Sequence, residues 1–459
     1  MGVASNLFYS TDTETQTLHR RITPTDEQFE DQQSRWNELA NSLLPSLKEK
    51  SERDVKTWLQ GSYKFATQIR PMNSKEEFDI DLGFYILWEA DEDKYSCDEI
   101  REFVRSALEE YAEDCDDIIG EIKIKDKCFR IPYNGGFHID TPTYHLDEKQ
   151  DKRLLASRGG WEDSDPKAIY NWYKKLFDDD QRNIVKRQIR YLKAWAAIHM
   201  ENGRRPSSIL LTILAAEAAN GENLDKNLGD DGILKIISKS IHDRLQKSTE
   251  VYNPINSNED LNRLSQEDMS DFIYKLDGLV DIANRANDAE NEMEAADIWS
   301  EAFQHFFPFP ETSTEAIMES AGLPSLILPE IQVTAKAKDN PNAKPFVGMN
   351  QIGPIPKNCD ITFEITNIGD LPIGSSIKWI VRNVGSAAEN VNDLGHSAGT
   401  GYRAQERSAY RGIHYMDCIV RRHDRFIMMR RVPVIISNNT LPPRNPDKRP
   451  NYVQLRGRR

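Results

Sequence analysis

The chain has 459 residues and a formal net charge of −15, with 59 Lys and Arg against 74 Asp and Glu. That length sets an expectation of two or three domains, and the acidic balance argues against a dedicated duplex-DNA binder working through a basic surface. No stretch approaches the ~20 apolar residues of a membrane span, and five scattered cysteines (Cys97, Cys115, Cys128, Cys359, Cys418) without zinc-type spacing fit a reducing cytoplasm.

The N-terminus shows neither a secretory signal nor the myristoylation pattern, because Asn6 stands where Ser or Thr is needed. Residues 26–50 read as a helix capped by Thr25, with Asp26, Glu27 and Glu30 favourably placed near its positive end and Leu39, Leu43, Leu44 and Leu47 on one face. Residues 55–60 lead into the turn Gln60-Gly61-Ser62. A polar loop containing Pro71 follows, then Asp79-Ile80-Asp81 opening the apolar run Leu82-Gly83-Phe84-Tyr85-Ile86-Leu87-Trp88, a buried strand. Residues 98–114 form an acidic helix with Ile100, Phe103, Val104, Leu108 and Tyr111 inward. Residues 122–133 alternate as a strand, and Asn134-Gly135-Gly136 turns the chain back into Phe137-His138-Ile139-Asp140.

From Asp165-Pro166, cap and first helical residue, the chain becomes helical. A longer helix spans 181–200 and carries Lys193. Pro206-Ser207-Ser208 opens another, and 226–247, 259–288 and 292–307 read as further helices, with Asn253-Pro254-Ile255-Asn256 as a loop. Residues 308–358 lose periodicity and are rich in Pro, Gly and Asn. From Asp360 to Ile436 the pattern is β, in segments around 361–365, 377–381, 410–420 and 425–436, as in a small all-β sandwich. The charge is uneven: residues 89–118 are crowded with Asp and Glu, while Arg403, Arg407, Arg411, Arg421, Arg422, Arg430 and Arg431 make the C-terminal end basic, either a solvated surface or one that meets phosphate or the acidic body. The tail 441–459 reads as basic and mobile.

Strand side chains alternate, so Asp79 and Asp81 point the same way. Two carboxylates on one face of a buried strand repel and are costly to desolvate unless a cation lies between them. Asp140, on a segment folded back beside its predecessor, can join them in the same sheet. Three carboxylates behind a Gly-Ser turn are the parts of a two-metal nucleotidyl-transfer site, where hard ions such as Mg²⁺, with Mn²⁺ as an alternative, meet carboxylate and phosphate oxygens. Gly61 would let the backbone approach phosphate and Ser62 would donate to it. Lys193 and Ser207 or Ser208 could hold the triphosphate from the other side. For Lys193 the competing reading is a surface lysine lying along an amphipathic helix, and for the serines it is helix capping. His138 shares a face with Asp140 but reads more simply as an edge histidine with its own partners.

Gln60-Gly61-Ser62-Tyr63, Phe78-Asp79-Ile80-Asp81-Leu82-Gly83, Ile139-Asp140, Gly160-Trp161-Glu162-Asp163-Ser164-Asp165-Pro166, Leu192-Lys193-Ala194-Trp195 and Asn253-Pro254 resemble the bacterial cGAS/DncV-like nucleotidyltransferases (CD-NTases), over about residues 15–310. The resemblance implies an α+β, polymerase-β-like fold, a mixed sheet backed by a helical lobe. It implies Asp79, Asp81 and Asp140 as catalytic metal ligands for two ions, with Gln60, Gly61, Ser62, Lys193, Ser207 and Ser208 binding nucleotide. It further implies condensation of nucleoside triphosphates, ATP among them, into a cyclic oligonucleotide that a downstream effector recognises in anti-phage defence. Residues 379–385 with Ala387 and Ala388, and 410–416, resemble the adenylyl/guanylyl cyclase and SMODS C-terminal sensor domain, implying an unidentified ligand there. There Trp379 reads as core, and His414 and Arg411 as candidates to face the ligand.

The expected layout is a nucleotidyltransferase over 1–310 (sheet about 50–150, helical lobe about 160–310), a linker over 311–345, a β-rich sensor domain over 346–440 and the tail 441–459. Two alternatives remain open on the sequence: synthesis of a linear oligonucleotide, primed from a protein hydroxyl such as Tyr452, and a ligand-sensing module with a silent nucleotidyltransferase part.

Overall fold

The structure, a computed structural model, describes residues 2–13, 15–73, 75–89, 94–222, 224–225, 228–310, 327–338 and 344–437. The tail with Tyr452 therefore lies outside the described residues, as do 311–326 and 339–343 within the stretch read as linker. The chain divides into two compact units, Met1–Phe303 and Gln304–Arg459.

In the first unit, short helices α1 (Ser5–Phe8) and α2 (Leu18–Ile22) precede α3 (Asp26–Ser51). The start of α3 is fixed by a reciprocal cap: Thr25 Oγ1 accepts from Gln28 N–H, and Gln28 Oε1 accepts from Thr25 N–H. The strands β1 (Val55–Gln60) and β2 (Phe78–Leu87) flank the one-turn helix α4 (Gly61–Lys64). Helix α5 (Cys97–Asp114) is closed at its start by the same kind of box between Ser96 and Glu99. Strands β3 (Lys123–Ile124), β4 (Phe129–Tyr133), β5 (Phe137–Asp140), β6 (Thr143–Asp147), β7 (Lys152–Ser157) and β8 (Gly160–Asp163) complete the sheet.

The sheet order is β3-β4-β5-β2-β6-β7-β8, with β1 antiparallel to β2. β5 and β6 are successive halves of one run, interrupted at Thr141-Pro142, and both lie parallel to β2. Leu39, Leu43 and Leu47 of α3 and Val104 and Leu108 of α5 pack with Ile80, Leu82, Phe84, Ile131 and Ile139 in one core. Full burial of such a side chain contributes about 1.5–3 kcal/mol, so this face is strongly specified. A one-residue slip of β2 would bury Asp79 and Asp81 in it. The opposite face of the same strands therefore carries the polar residues.

Helices α6 (Pro166–Leu176), α7 (Asp179–His199), α8 (Ser208–Gly221), α9 (Asp230–Leu245), α10 (Gln266–Asn287) and α11 (Glu292–Phe303) form the helical lobe. Asp165 caps α6 through Ala168 N–H, with Pro166 in its first turn. Helix α8 is buried along nearly its whole apolar length. The stretch 253–256, read as a loop, connects the hairpin strands β9 (Tyr252–Asn253) and β10 (Asn256–Asp260).

The second unit is a β-sandwich. One sheet has the order β12 (Phe346–Met349), β11 (Ile331–Ala337), β14 (Cys359–Ile365), β17 (Arg403–Arg407). The other has β13 (Ile352–Ile355), β19 (Arg425–Ile436), β18 (Gly412–Arg422), β15 (Ser375–Arg382), β16 (Gly395–Thr400). The α+β class with a final all-β region is thus as expected. Strand β11 falls in the stretch read as linker. Ile331, Val333 and Ala335 alternate inward in it, but Pro and Asn on either side hide a seven-residue strand from a composition window. Trp379 is fully buried, and its indole N–H donates to Gly401 O at 2.7 Å.

Candidate active site

The parallel register of β2 and β5 sets Asp79 opposite His138 and Asp81 opposite Asp140. The antiparallel register of β4 and β5 sets Arg130 opposite Asp140. Alternation then brings Asp79, Asp81, His138, Asp140 and Arg130 to the face that the core does not use. Asp140 is 7 % exposed. Arg130 clamps it, Nε and Nη2 each donating at 2.7 Å to one carboxylate oxygen, and Nη2 lies 3.9 Å from Asp79 Oδ1. Each Asp140 oxygen keeps a second lone pair for another partner.

Asp81 is the electrostatic centre of the group. Burial pushes its carboxyl well above the usual carboxylate range, and the charges of Asp79 and Asp140 push the same way, against the opposing pull of Arg130 and Lys193. A divalent cation fits this donor set, because it removes a repulsion that the nearby cations leave in place.

Gly61 follows Gln60, which pairs with Asp81. Its φ of +57° lies in the left-handed region, and a Cβ there would sit 1.9 Å from Asp81 Oδ2. Gly61→Ala is therefore expected to strain the turn by about 1–2 kcal/mol and to displace the Asp81 carboxylate. Positioning losses of this kind reduce turnover by roughly 10²-fold. Steady-state pyrophosphate release checks this, and a variant with wild-type turnover would mean that the turn does not set Asp81.

The side chain of Gln60 points elsewhere: Nε2 donates to Tyr85 Oη at 2.8 Å and Oε1 accepts from Tyr144 Oη at 3.0 Å. It thereby braces the turn from inside the sheet. Ser62 lines a cavity of about 170 Å³ together with Thr67, Asp79, Lys193, Arg205 and Ser208. Lys193 is buried on α7, and its Nζ donates to Thr67 Oγ1 at 3.0 Å. It is thus neither on the surface nor lying along it. Ser207 caps α8 by accepting from Leu210 N–H at 3.3 Å, while Ser208, one residue on, borders the cavity. The sequence reading separated neither serine.

Sequence reasoning missed Arg130, Thr67 and Arg205, and it set His138 aside. Arg130 alternates with Phe129 and Ile131, the pattern of any half-solvated strand. Only its register against Asp140 shows otherwise. Arg205 meets Glu76 at 2.7 Å in the cavity wall.

In the second unit, His414 is buried with its ring bonded to Tyr410 O and Val384 N–H. It borders a cavity of about 210 Å³ whose wall includes Phe363, Asn383, Asp393, Tyr410 and Met416. Arg411 is exposed. Of the arginine cluster, Arg403 pairs with Glu364, Arg430 with Glu330 and Arg431 with Asp417. Among the described residues no helix is long and apolar enough to cross a membrane.

Residues 55–144 match the family description "Cyclic GMP-AMP synthase DncV-like, nucleotidyltransferase domain", and residues 183–314 match "Cyclic GMP-AMP synthase, C-terminal domain". Residues 311–437 match "Adenylyl/Guanylyl and SMODS C-terminal sensor domain". The chain is 31% identical over 442 residues to a cyclic GMP-AMP synthase of Escherichia albertii, covering 94% of this chain and 96% of that protein. It is 25% identical over 347 residues to one of Escherichia coli, covering 63% and 74%. The crystal structure of Vibrio cholerae DncV cyclic AMP-GMP synthase with the linear intermediate 5' pppA(3',5')pG superimposes with a TM-score of 0.57 at 18% identity, covering 67% of this chain and 96% of that one. With the relative matched over nearly its whole length, the three domain matches and the shared fold in agreement, the chain belongs to the DncV-like nucleotidyltransferases and carries a C-terminal domain of the adenylyl/guanylyl and SMODS sensor family.

Proposed function

We propose that this enzyme condenses ATP and GTP into a cyclic dinucleotide, releasing pyrophosphate, and that the product signals to a downstream effector in anti-phage defence. The observation that carries the reading is the β2–β5 register, which gathers Asp79, Asp81 and Asp140 on one face beside the Gly61 turn. The names of the relatives support the choice of nucleotides.

Asp79, Asp81 and Asp140 would hold divalent cations, which when bound neutralise the triphosphate and lower the pKa of the attacking hydroxyl. Gly61 keeps the backbone of the turn open to phosphate, and Ser62 donates its hydroxyl there. Lys193 and Ser208 face the same cavity from the helical lobe and hold the triphosphate tail. In each transfer a ribose oxygen forms a bond to the α-phosphorus, the bond to pyrophosphate breaks, and the hydroxyl proton leaves to solvent or a carboxylate. A second transfer within the bound linear intermediate closes the ring.

The test is mass spectrometry of products made from all four ribonucleotides, with phosphatase treatment. A ring has no terminal phosphate and resists it; a phosphatase-sensitive product would instead support linear synthesis. No pyrophosphate from any triphosphate mixture, with Asp79→Ala and Asp81→Ala indistinguishable from wild type, would sink the reading.

Lys193 gives a pH signature. Burial lowers its pKa to about 7, Arg190 adds to this, and Asp81 opposes it. A bound triphosphate favours the ammonium form, so binding above about pH 7 takes up a proton. Affinity for a non-hydrolysable triphosphate should then fall with rising pH, by no more than about tenfold per unit. Calorimetry in buffers of different ionisation enthalpy measures the uptake. Lys193→Met should bind more weakly and lose that slope; a variant that keeps it would show that another group titrates.

A further inference from the structure

We propose that His138 is a fourth metal ligand, which makes the site a mixed carboxylate–imidazole centre that favours first-row transition ions such as manganese over magnesium. This rests on the nucleotidyl-transfer reading above and adds a residue and an ion preference to it.

His138 is 6 % exposed and stands opposite Asp79 in the parallel pairing of β2 and β5. Its Nδ1 lies 3.0 Å from Glu77 Oε2. A carboxylate there accepts the Nδ1 proton, fixes the ring and leaves the Nε2 lone pair directed into the site. Nε2 is buried and lies 2.9 Å from Asp79 Oδ1, its nearest polar neighbour in the site, without meeting hydrogen-bond geometry. With the Nδ1 proton held by Glu77, the Nε2 lone pair and Asp79 Oδ1 face each other at that distance and need positive charge between them, a proton or a metal ion.

A ring nitrogen of His138 and one oxygen each from Asp79 and Asp140 all lie within 4.8 Å of one another. Neighbouring ligands on one six-coordinate ion, each about 2.0–2.3 Å from it, are roughly 3 Å apart, so the Nε2–Oδ1 spacing needs little adjustment. The Glu77–His138 pair is also the usual outer support of a metal-bound imidazole, in which a carboxylate orients the ring and raises its basicity. Magnesium keeps oxygen ligands, whereas an imidazole nitrogen strengthens binding of transition ions. A histidine that only linked Glu77 to Asp79 would leave the preference unchanged.

The test uses the full chain with nitrogen-15 in histidine only, loaded with Mn²⁺ and a non-hydrolysable ATP analogue, and pulsed EPR. Wild type should show nitrogen-15 coupling of a directly bound imidazole. His138→Asn should still bind Mn²⁺, lose that coupling, and lose roughly tenfold or more of the manganese-over-magnesium preference in equilibrium binding. Glu77→Gln, which keeps the ring, should weaken Mn²⁺ binding in the same direction. Absence of histidine coupling in wild type overturns the proposal whatever the variants do, and so does coupling that survives in His138→Asn. Pyrophosphate release is followed in parallel. Activity without histidine coupling removes only this ligand, while inactivity with every ion removes the nucleotidyl-transfer reading itself.

Discussion

Asp81→Asn is expected to lower pyrophosphate release by roughly 10²–10³-fold or more while raising the melting temperature of the metal-free protein. The two effects have one cause. Asp81 carries a carboxyl whose pKa is raised by burial and by the charges of Asp79 and Asp140. A group with a raised folded-state pKa contributes stability below its ordinary range, and that contribution is lost as pH climbs through the raised value. Wherever it is ionised, the carboxylate is therefore a local cost, and an isosteric amide removes it. Substitutions that relieve such strained functional groups commonly add about 0.5–2 kcal/mol, a few degrees for a chain of this size.

The sign reverses with divalent cation. A ligand that binds only the folded state raises its stability in proportion to the logarithm of occupancy, so Mn²⁺ should raise the wild-type melting temperature more than that of Asp81→Asn. Differential scanning fluorimetry with and without Mn²⁺, beside a pyrophosphate assay, reads all three quantities. A variant that is inactive and also less stable without metal would mean that Asp81 supports the fold rather than the chemistry.

The parts of this site that were legible in the sequence are those that local pattern controls. Asp79 and Asp81 alternate with Ile80 and Leu82, which fixes their common face without any knowledge of the rest of the sheet. The turn at 134–136 announces that Asp140 returns beside β4. What the sequence could not supply was register between strands distant in the chain. The pairing of Asp81 with Asp140, of Asp79 with His138 and of Arg130 with Asp140 depends on how β5 slides along its neighbours.

The same limit applied to Gln60. The resemblance implies a nucleotide-binding role for it, and nothing local announces that Tyr85 and Tyr144, on β2 and β6, bond its amide. Lys193 was ambiguous because α7 is amphipathic in pattern, and only the packing of Thr67 against it shows that the amine is interior. In the second unit β11 was hidden by its flanks, whereas Trp379 was legible as core from Trp379-Ile380-Val381 alone.

Asp417→Ala is expected to destabilise the second unit by about 3–5 kcal/mol. Asp417 is fully buried on β18. Its Oδ2 accepts from Arg382 Nε at 2.6 Å, and Arg431 donates to both oxygens at 2.8 and 3.0 Å. Burial alone would raise its pKa, but the charges of Arg431 and Arg382 outweigh this and hold it below the usual range. Its stabilising contribution is therefore present above the ordinary carboxylate range and is lost as pH falls through the lowered value.

Removal of the carboxylate leaves two guanidinium groups facing each other. Arg431 is partly exposed and can turn to solvent, but Arg382 is 3 % exposed. Arg382 also donates to His305 O and Phe307 O and lies over the ring of Phe309, so its loss of register would release the opening segment of the unit. Asp417→Asn, which keeps the shape and part of the hydrogen bonding, should fall between wild type and Ala. Hydrogen exchange should quicken at residues 304–309 and along β15 and β18, with the first unit unchanged. A melting profile within about 1 kcal/mol of wild type would mean that solvent already compensates Arg382. Pyrophosphate release at a temperature that melts only the second unit then separates a sensor that controls catalysis from one that does not: altered rates tie the β-sandwich to the active site, and unaltered rates leave the nucleotidyltransferase self-sufficient.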